Sequence, residues 1–181
     1  MKKALLVIDV QNEYFTGKLP VSQSEESLKN ILLAMDRAHE NGTPVVVIQH
    51  TSQAQNAATF RKGSPEWELH AEIAKRPHDL LIEKHWPGSF TGTNLEDWLK
   101  SKDITVVAIC GFMTHMCCDT TARQAFHLGF AVDFLSDATG TISIKNEAGE
   151  ISAEELHKAI LIAQGSLFSK VLNTSEWIEN L

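Results

Sequence analysis

The stretch ITVVAICGFMTHMCCDTTARQAF, residues 104–126, has the pattern of a strand that passes through a short turn into a helix. Its first seven residues form an almost continuous apolar, β-branched run, which is typical of a strand covered on both faces of a parallel sheet. From about Thr114 the spacing becomes helical, because Cys118, Ala122 and Ala125 fall on one small, apolar side. A strand followed directly by a helix is the repeating unit of α/β proteins.

Other apolar runs have the length of strands and alternate with helical segments; they span residues 4–9, 44–49, 79–84, 131–136 and 170–173. Helical spacing is clearest at Leu28, Ile31, Leu32 and Met35. Alternation of this kind predicts right-handed crossovers and parallel pairing. We therefore predict one domain over residues 1–181, with a three-layer α/β/α fold around a mostly parallel, six-stranded open sheet and helices on both faces.

Three helix starts carry a capping-box pattern, in which a hydroxyl residue is followed three positions later by glutamate. The pairs are Ser22 with Glu25, Thr93 with Glu96, and Ser152 with Glu155. Each pair predicts that a helix begins just after its hydroxyl residue.

The composition excludes several classes of partner. The 181 residues carry a formal net charge of -7 and no long basic run, so we expect no binding to nucleic acid or to an anionic membrane. No apolar stretch approaches the length of a transmembrane helix. All three cysteines lie between positions 110 and 118, which gives neither a disulfide framework nor a zinc-ligand spacing. Reduced cysteines, together with an amino-terminal apolar run too short for a signal peptide, predict a cytoplasmic protein.

Three residues of different chemistry are predicted at one edge of the sheet. Ligands of open parallel sheets bind beyond the carboxyl ends of the strands. Asp9 ends the first predicted strand, Lys84 ends the third, and Cys117 follows the fourth. Each alone has a structural explanation, since an aspartate can bind turn amides, a lysine is usually solvated and a cysteine is usually a small, inert apolar residue. Their convergence favours an active site. We expect Lys84 to face this cleft rather than fill the core, so that the protein folds without its side chain.

Cys117 and Cys118 are adjacent, so only one of them can face a given cleft. If the helix begins near Thr114, Cys117 lies in its first turn, where free N–H groups and the helix dipole favour a thiolate and lower the cysteine pKa. Cys118 lies on the side that packs on the sheet, and Cys110 belongs to the buried strand. Cys117 is therefore the candidate nucleophile, and the other two cysteines are predicted to be structural.

Three segments resemble the isochorismatase-like cysteine hydrolases, the superfamily that includes nicotinamidases, N-carbamoylsarcosine amidases and isochorismatases. They read LLVIDVQNEYF near the start, KHWPGSFTGTNLEDWL in the middle and GFMTHMCCDTTARQAFHLGF later, and the resemblance covers essentially the whole chain. Asp9 and Lys84 match the family's catalytic aspartate and lysine. The family's Gly-x-x-Thr-x-x-Cys loop and the Thr-Ala pair after it are matched by Gly111, Thr114, Cys117, Thr121 and Ala122.

The resemblance implies covalent hydrolysis of a small amide, carbamoyl or ureido compound. Asp9 would take the thiol proton, Cys117 would attack the acyl carbon to give a thioester, and Lys84 would hold Asp9 in place. The family also carries a cis peptide bond before the nucleophile loop, here between Phe112 and Met113. The oxyanion hole would then consist of the backbone amides of Met113 and Cys117. A homodimer or homotetramer is expected from the same resemblance.

The chain departs from nicotinamidases at one point. Those enzymes carry an Asp-x-His metal motif after the second strand, where this chain has QHTSQ, residues 49–53, with His50 and Ser52 in the metal-ligand positions. We therefore expect no bound metal and no cofactor. His50, His85 and His115 could still meet at the cleft as contacts to the substrate.

Four residues near strand ends are candidates for substrate binding: Tyr14, Phe15, His50 and Trp86. For Phe15 and Trp86, ordinary packing is the alternative explanation. The polar stretch TSQAQNAATFRKG, residues 51–63, is long for a loop inside a compact domain, and such loops are often lids that select the substrate.

Two other functions stay open on the sequence alone. Isochorismatases cleave a vinyl ether and lack the cysteine, so Cys117 disfavours that chemistry. A binding protein on the same scaffold could keep all three candidate residues without turnover. Detection of an acyl adduct would separate an amide hydrolase from such a binding protein.

Overall fold

The computed structural model describes residues 1–54 and 56–181. Within these residues the strands are β1 (Lys3–Ile8), β2 (Val45–His50), β3 (Leu80–Lys84), β4 (Val106–Phe112), β5 (Ala131–Gly140), β6 (Ile144–Asn146), β7 (Gly149–Ile151) and β8 (Lys170–Leu172). The main sheet has the order β3-β2-β1-β4-β5-β8, and every neighbouring pair in it is parallel. Strands β6 and β7 form a separate antiparallel hairpin.

Helices cover both faces of the main sheet. They are α1 (Ser24–Glu40), α2 (Ala71–Ala74), α3 (Leu95–Ser101), α4 (Asp119–His127), α5 (Ala153–Ala163) and α6 (Thr174–Ile178). Buried residues of α1 and α6 belong to one apolar cluster, and those of α3 and α4 belong to the other. The predicted three-layer α/β/α fold with a six-stranded open sheet is thus confirmed.

The apolar runs of the sequence are continuous because successive strand residues enter opposite clusters. In β1, Leu5 and Val7 pack into the first cluster, whereas Leu6 and Ile8 pack into the second. The observed strand bounds lie within two residues of the predicted ones except at β5, which continues to Gly140. Its last residues pair with the end of β4 after a register shift, a tertiary contact that its polar sequence does not indicate.

One of the three predicted capping boxes forms. The Ser152 hydroxyl accepts a hydrogen bond from the Glu155 amide, and the Glu155 side chain accepts one from the Ser152 amide. The box at Ser22 is wrong, because α1 begins at Ser24 without a side-chain cap, after Gln23 in the left-handed conformation with a φ of 58°.

The box at Thr93 is wrong as well, because α3 begins at Leu95. The Thr93 hydroxyl donates instead to the carbonyl oxygen of Ser89 at 2.6 Å. The same hydroxyl accepts from the Leu95 amide at 3.3 Å, so Thr93 contacts the first residue of α3 and not Glu96 as a capping box requires.

Two features have no clear signal in the sequence. One is the β6–β7 hairpin. The other is a wide helical turn over residues 114–118, the cysteine turn, in which the Cys118 amide donates to the carbonyl of Met113 five positions earlier. Among the described residues, no helix combines the length and hydrophobicity needed to cross a bilayer.

Candidate active site

Asp9 lies immediately after β1, at the carboxyl edge of the main sheet. Its φ is 52°, a left-handed conformation that aspartate adopts more readily than most residues. The Asp9 amide donates to Ile48 of β2, and the Asp9 carbonyl accepts from the Gln11 amide. Two backbone hydrogen bonds thus fix the position of a carboxylate that is fully buried.

Lys84 ends β3 and sends its ammonium group to the same point. Its Nζ lies 2.7 Å from Asp9 Oδ2, 3.3 Å from Cys117 Sγ and 3.1 Å from the Trp86 carbonyl oxygen. Contrary to expectation, Lys84 does not face an open cleft, because its side chain is fully buried and ranks among the largest enclosed side chains. The apolar stem of Lys84 fills the space between strand ends. Burial of its ammonium group is costly and requires a buried partner of opposite charge.

The contact between Lys84 and Asp9 is an ion pair without the angles of a directional hydrogen bond. Neither Asp9 oxygen has a hydrogen-bond partner among the described residues, although Oδ2 lies 2.7 Å from the ammonium nitrogen. At this distance, in a buried site, the attraction between opposite charges is strong whatever the angle. The Asp9 oxygens therefore keep free lone pairs, which a general base requires.

The cysteine turn is brought to Asp9 by a glycine at the end of β4. Gly111 has a φ of 112° and pairs in register with Ile8. A Cβ atom at this position would lie 2.0 Å from the Ile8 carbonyl oxygen, so no other residue fits. The peptide bond between Phe112 and Met113, just after this glycine, is cis, as the family resemblance implied.

Cys117 lies in the cysteine turn with 5% of its surface exposed, whereas Cys118 and Cys110 are completely buried. Burial raises the pKa of the Cys117 thiol, Asp9 raises it further, and Lys84 opposes both effects. The predicted lowering of this pKa by the helix start is therefore wrong, because desolvation and a neighbouring carboxylate outweigh the helix dipole. The resting residue is a thiol that needs a base.

Lys84 stays charged in this environment. Burial lowers its pKa, but the interactions with the Asp9 carboxylate and the Cys117 sulfur outweigh that effect and leave the pKa raised. An ammonium beside the sulfur stabilises a thiolate once the proton has left.

Two backbone amides at the nucleophile loop are candidates for binding an oxyanion. The Met113 amide donates to no described residue, and the Cys117 amide donates to none outside the cysteine turn itself. These are the two amides that the resemblance suggested for an oxyanion hole. Free amide donors at the start of a helical turn attract negative charge.

Of the four candidate substrate contacts, Tyr14 and His50 adjoin the buried charges. Burial and the charges of Cys117 and Asp9 raise the pKa of Tyr14, and His50 Nδ1 lies 3.4 Å from Lys84 Nζ. The Phe15 ring packs instead against His70 and Phe112. The Trp86 side chain is 55% exposed, and its carbonyl oxygen rather than its ring contacts Lys84.

The three histidines do not gather at one point. His85 bonds the Thr51 carbonyl oxygen through Nδ1, whereas His115 bonds the Thr141 hydroxyl. Over residues 1–54 and 56–181, no group of three or more histidine, cysteine, aspartate or glutamate side chains is arranged to hold a metal ion. Ser52, at the second metal-ligand position, accepts a hydrogen bond from the Ala54 amide. The residues present do not fit the metal site of nicotinamidases.

The stretch 51–63 contributes one side chain next to the site. Phe60 is buried and packs against the rings of Tyr14 and His50, with centroid distances of 5.3 and 5.1 Å. The Ser52 amide donates to the Phe60 carbonyl, which closes the loop at its base. Gln55, within the same stretch, lies outside the described residues.

The sequence reasoning missed two groups that hold the site together. The buried side-chain amide of Gln11 accepts a hydrogen bond from the His50 backbone N–H at 2.9 Å and donates one to the His50 carbonyl oxygen at 3.0 Å. On the other side, Ser89 donates through its backbone amide to the Thr121 hydroxyl, which ties the loop after β3 to α4. Gln11, Ser89 and Thr121 are polar residues within the three segments that resemble the family, and this position is the sequence signal that could have identified them.

The chain was compared with known proteins, and an isochorismatase domain matches residues 3–165. An isochorismatase family protein of Bacillus subtilis is 31% identical over 180 residues, which cover 99% of this chain and 100% of that protein. Nicotinamidase 3 of Arabidopsis thaliana is 32% identical over 171 residues, which cover 88% of this chain and 78% of the plant protein.

A crystal structure of a Burkholderia xenovorans protein assigned to the isochorismatases is 44% identical. It superimposes with a TM-score of 0.95 over 98% of this chain and 86% of that chain. The match of sequence and fold extends through all three strand ends that carry the buried charges and the thiol. The chain therefore belongs to the isochorismatase family of hydrolases.

Proposed function

We propose that this chain is a cysteine amidohydrolase that cleaves a small amide, carbamoyl or ureido compound through a thioester intermediate. The observation that carries the proposal is the buried constellation of Asp9, Lys84 and Cys117, with Lys84 Nζ at 2.7 Å from the carboxylate and 3.3 Å from the sulfur. Relatives whose names include nicotinamidase, ureidoacrylate amidohydrolase and N-carbamoylsarcosine amidase support amide and carbamoyl chemistry.

The first half of the reaction forms the thioester. Asp9 accepts the thiol proton, and Cys117 Sγ attacks the acyl carbon, whose oxygen becomes negative and binds the amides of Met113 and Cys117. Loss of one such donor costs about 2.7–4 kcal/mol in comparable sites. The carbon–nitrogen bond then breaks as Asp9 returns the proton to the leaving nitrogen.

In the second half, water cleaves the thioester with Asp9 again as the base, and the Cys117 thiol is restored. Lys84 takes no proton in either half. It holds the carboxylate by charge and stabilises the thiolate while the proton resides on Asp9. The enclosed position of Cys117 restricts the substrate to a small molecule. A cytoplasmic location and assembly as a homodimer or homotetramer complete the proposal.

The test is release of ammonia from a panel of primary amides, ureas and N-carbamoyl amino acids, followed by intact-mass analysis of enzyme mixed with the best compound. We expect turnover of at least one compound and an acyl mass increase that maps to Cys117. A Cys117→Ala variant is the matched negative control. Isochorismate is assayed alongside the panel. Its cleavage without any ammonia release from the panel would support the vinyl-ether hydrolase, and absence of ammonia, adduct and isochorismate cleavage would support a binding protein.

A further inference from the structure

Four groups surround the Lys84 ammonium, and one of them is His50 Nδ1 at 3.4 Å. The ammonium Nζ is within hydrogen-bond distance and angle of the Trp86 carbonyl oxygen, Cys117 Sγ and His50 Nδ1. Asp9 is held by charge and lacks the angles of a hydrogen bond. An ammonium group has no lone pair and only donates. His50 Nδ1 must therefore be the acceptor, and the proton of a neutral His50 ring must reside on Nε2.

His50 is also held from two further sides. The Gln11 side chain bonds both its backbone N–H and its carbonyl, at 2.9 and 3.0 Å. The Phe60 ring packs edge-on against the imidazole at an angle of 85°. Contacts to the backbone, to the ring and to Nδ1 restrict the orientation of the His50 side chain before a ligand binds. Such preorganisation lowers the entropy cost of binding.

The second ring nitrogen, His50 Nε2, takes part in none of these contacts. His50 Nε2 has no hydrogen-bond partner among the residues that the structure describes, and it is not sealed away from solvent. Lys84 contacts both His50 Nδ1 at 3.4 Å and Cys117 Sγ at 3.3 Å, so the imidazole lies near the nucleophile. A donor with a fixed direction and no partner suits a ligand that brings an acceptor.

We propose that His50 is a neutral hydrogen-bond donor of fixed tautomer, whose Nε2–H binds a carbonyl or carboxylate oxygen of the substrate. The inference rests on the proposed amidohydrolase function and narrows its substrate class to compounds with an acceptor oxygen beside the scissile group. Such a site disfavours analogues without that oxygen, because a bound analogue would cover the donor without giving it a partner.

The charge state of His50 agrees with this role. Burial lowers its pKa, Lys84 lowers it further, and Asp9 opposes both effects. The ring is therefore neutral at neutral pH, so it donates one hydrogen bond and does not add a second cation beside Lys84.

Nitrogen-15 NMR of histidine-labelled protein at pH 7.5 tests the tautomer without any substrate. The His50 signals, assigned by comparison with a His50→Gln sample, should show a protonated Nε2 and an unprotonated Nδ1. A protonated Nδ1, whether in the other tautomer or in the charged ring, overturns the proposal. This result does not depend on turnover, so it separates failure of the inference from failure of the proposed function.

Two substitutions test the role of the donor on the most rapidly hydrolysed compound of the panel. His50→Gln places an amide near the Nε2 position, whereas His50→Asn reproduces only the Nδ1 side toward Lys84. We expect KM to rise about tenfold in His50→Asn with kcat little changed, and to stay within about threefold in His50→Gln, since one neutral hydrogen bond is lost only in the former. Equal KM values in the two variants, or a loss confined to kcat, contradict the proposed contact.

Discussion

The two edges of the same parallel sheet accommodate charge in opposite ways. At the carboxyl edge, Asp9 and Lys84 are fully buried and 2.7 Å apart. At the amino edge lies an open groove of about 1110 Å³ lined in part by lysines. There Lys2 pairs with Asp103 at 3.5 Å, and both side chains are mostly exposed to solvent.

The candidate catalytic residues thus lie at the edge with the buried charges and not at the edge with the open groove. Solvated pairs such as those at the amino edge contribute about 0–1 kcal/mol. Removing ions from water costs several kcal/mol for each ion, which the Asp9–Lys84 attraction must offset. A fold that keeps two buried charges next to a thiol has retained a costly arrangement, and such arrangements cluster at functional sites. The predictions below compare the two edges directly.

The largest effect is expected at the thiol. Cys117→Ser should fold and lose turnover by at least about 10³-fold, because a hydroxyl is a far weaker nucleophile and removal of a catalytic nucleophile costs this much or more. Limiting iodoacetamide should label Cys117 first and abolish hydrolysis. Rates of ammonia release and peptide mapping of the label provide the measurement.

Cys118→Ala is the matched control, since Cys118 is adjacent in sequence and packs toward the sheet. It should stay active and lose about 1 kcal/mol of stability through a small buried truncation. Fast labelling of Cys118, or full turnover in Cys117→Ser, would falsify the assignment of the nucleophile.

A lysine from each edge gives the second comparison. Lys84→Met should reduce the free energy of unfolding by about 3–5 kcal/mol, because it leaves the Asp9 carboxylate buried without its partner. Lys2→Met should cost less than about 1 kcal/mol, since Asp103 at the amino edge is mostly solvated. Urea denaturation of the two variants measures both values.

The double variant Asp9→Asn/Lys84→Met sharpens this comparison. It removes both charges, so it should recover part of the stability lost in Lys84→Met while remaining inactive. Equal losses in Lys84→Met and Lys2→Met would mean that burial of the Asp9–Lys84 pair has no energetic consequence.

Two glycines with positive φ provide the third comparison. Gly111→Ala should cost about 3 kcal/mol or more or prevent folding, because its Cβ would lie 2.0 Å from the Ile8 carbonyl oxygen. Gly42, which lines the amino-edge groove, has a φ of 66° and nothing within 4 Å of an added Cβ. Gly42→Ala should therefore cost only about 1 kcal/mol of backbone strain. Thermal denaturation with similar losses in both variants would show that the tight approach at Gly111 is not required.

Much of the fold could be predicted because the evidence for it is local and repeated. Each strand of the main sheet is an apolar run, and each run ends at the edge where parallel strands place their ligands. The meeting of Asp9, Lys84 and Cys117 at one point followed from that rule together with the family resemblance.

The remainder depends on tertiary contacts that have no local pattern. The burial of Lys84 is set by the strands and loops that enclose it, and this same enclosure reverses the predicted pKa shift of Cys117. The capping boxes predicted at Ser22 and Thr93 did not form, since capping preference is weak and the exact start of each helix is set by its surroundings. The hydrogen bonds between Gln11 and His50 join residues 39 positions apart.

Acid should weaken the carboxyl edge by a smaller amount. Burial lowers the pKa values of His50, His115 and His157, the last of which bonds Thr114 of the cysteine turn. Their pKa values in the folded protein lie below the unfolded value of about 6.5. Between the folded and the unfolded pKa, the unfolded chain therefore binds more protons than the folded protein does. Stability should be full above pH 6.5 and decline as pH falls through that value. Urea midpoints at pH 7.5 and 5.5 measure the decline, and an equal or higher midpoint at pH 5.5 would contradict it.

The smallest expected effect is that of metal removal, which should leave turnover unchanged. The lone pair of His50 Nδ1 faces the Lys84 ammonium at 3.4 Å, and that positive charge repels a divalent cation at the same place. The neighbouring ligand position holds Ser52, whose neutral hydroxyl is a poor partner for zinc or iron compared with carboxylate or imidazole. Turnover measured before and after exhaustive dialysis against a chelator should agree, with metal analysis of the same samples as the control. Complete loss that one metal restores would mean that Lys84 moves away from His50 in the working enzyme, and the carboxyl edge would then owe its chemistry to a cation rather than to its buried ion pair.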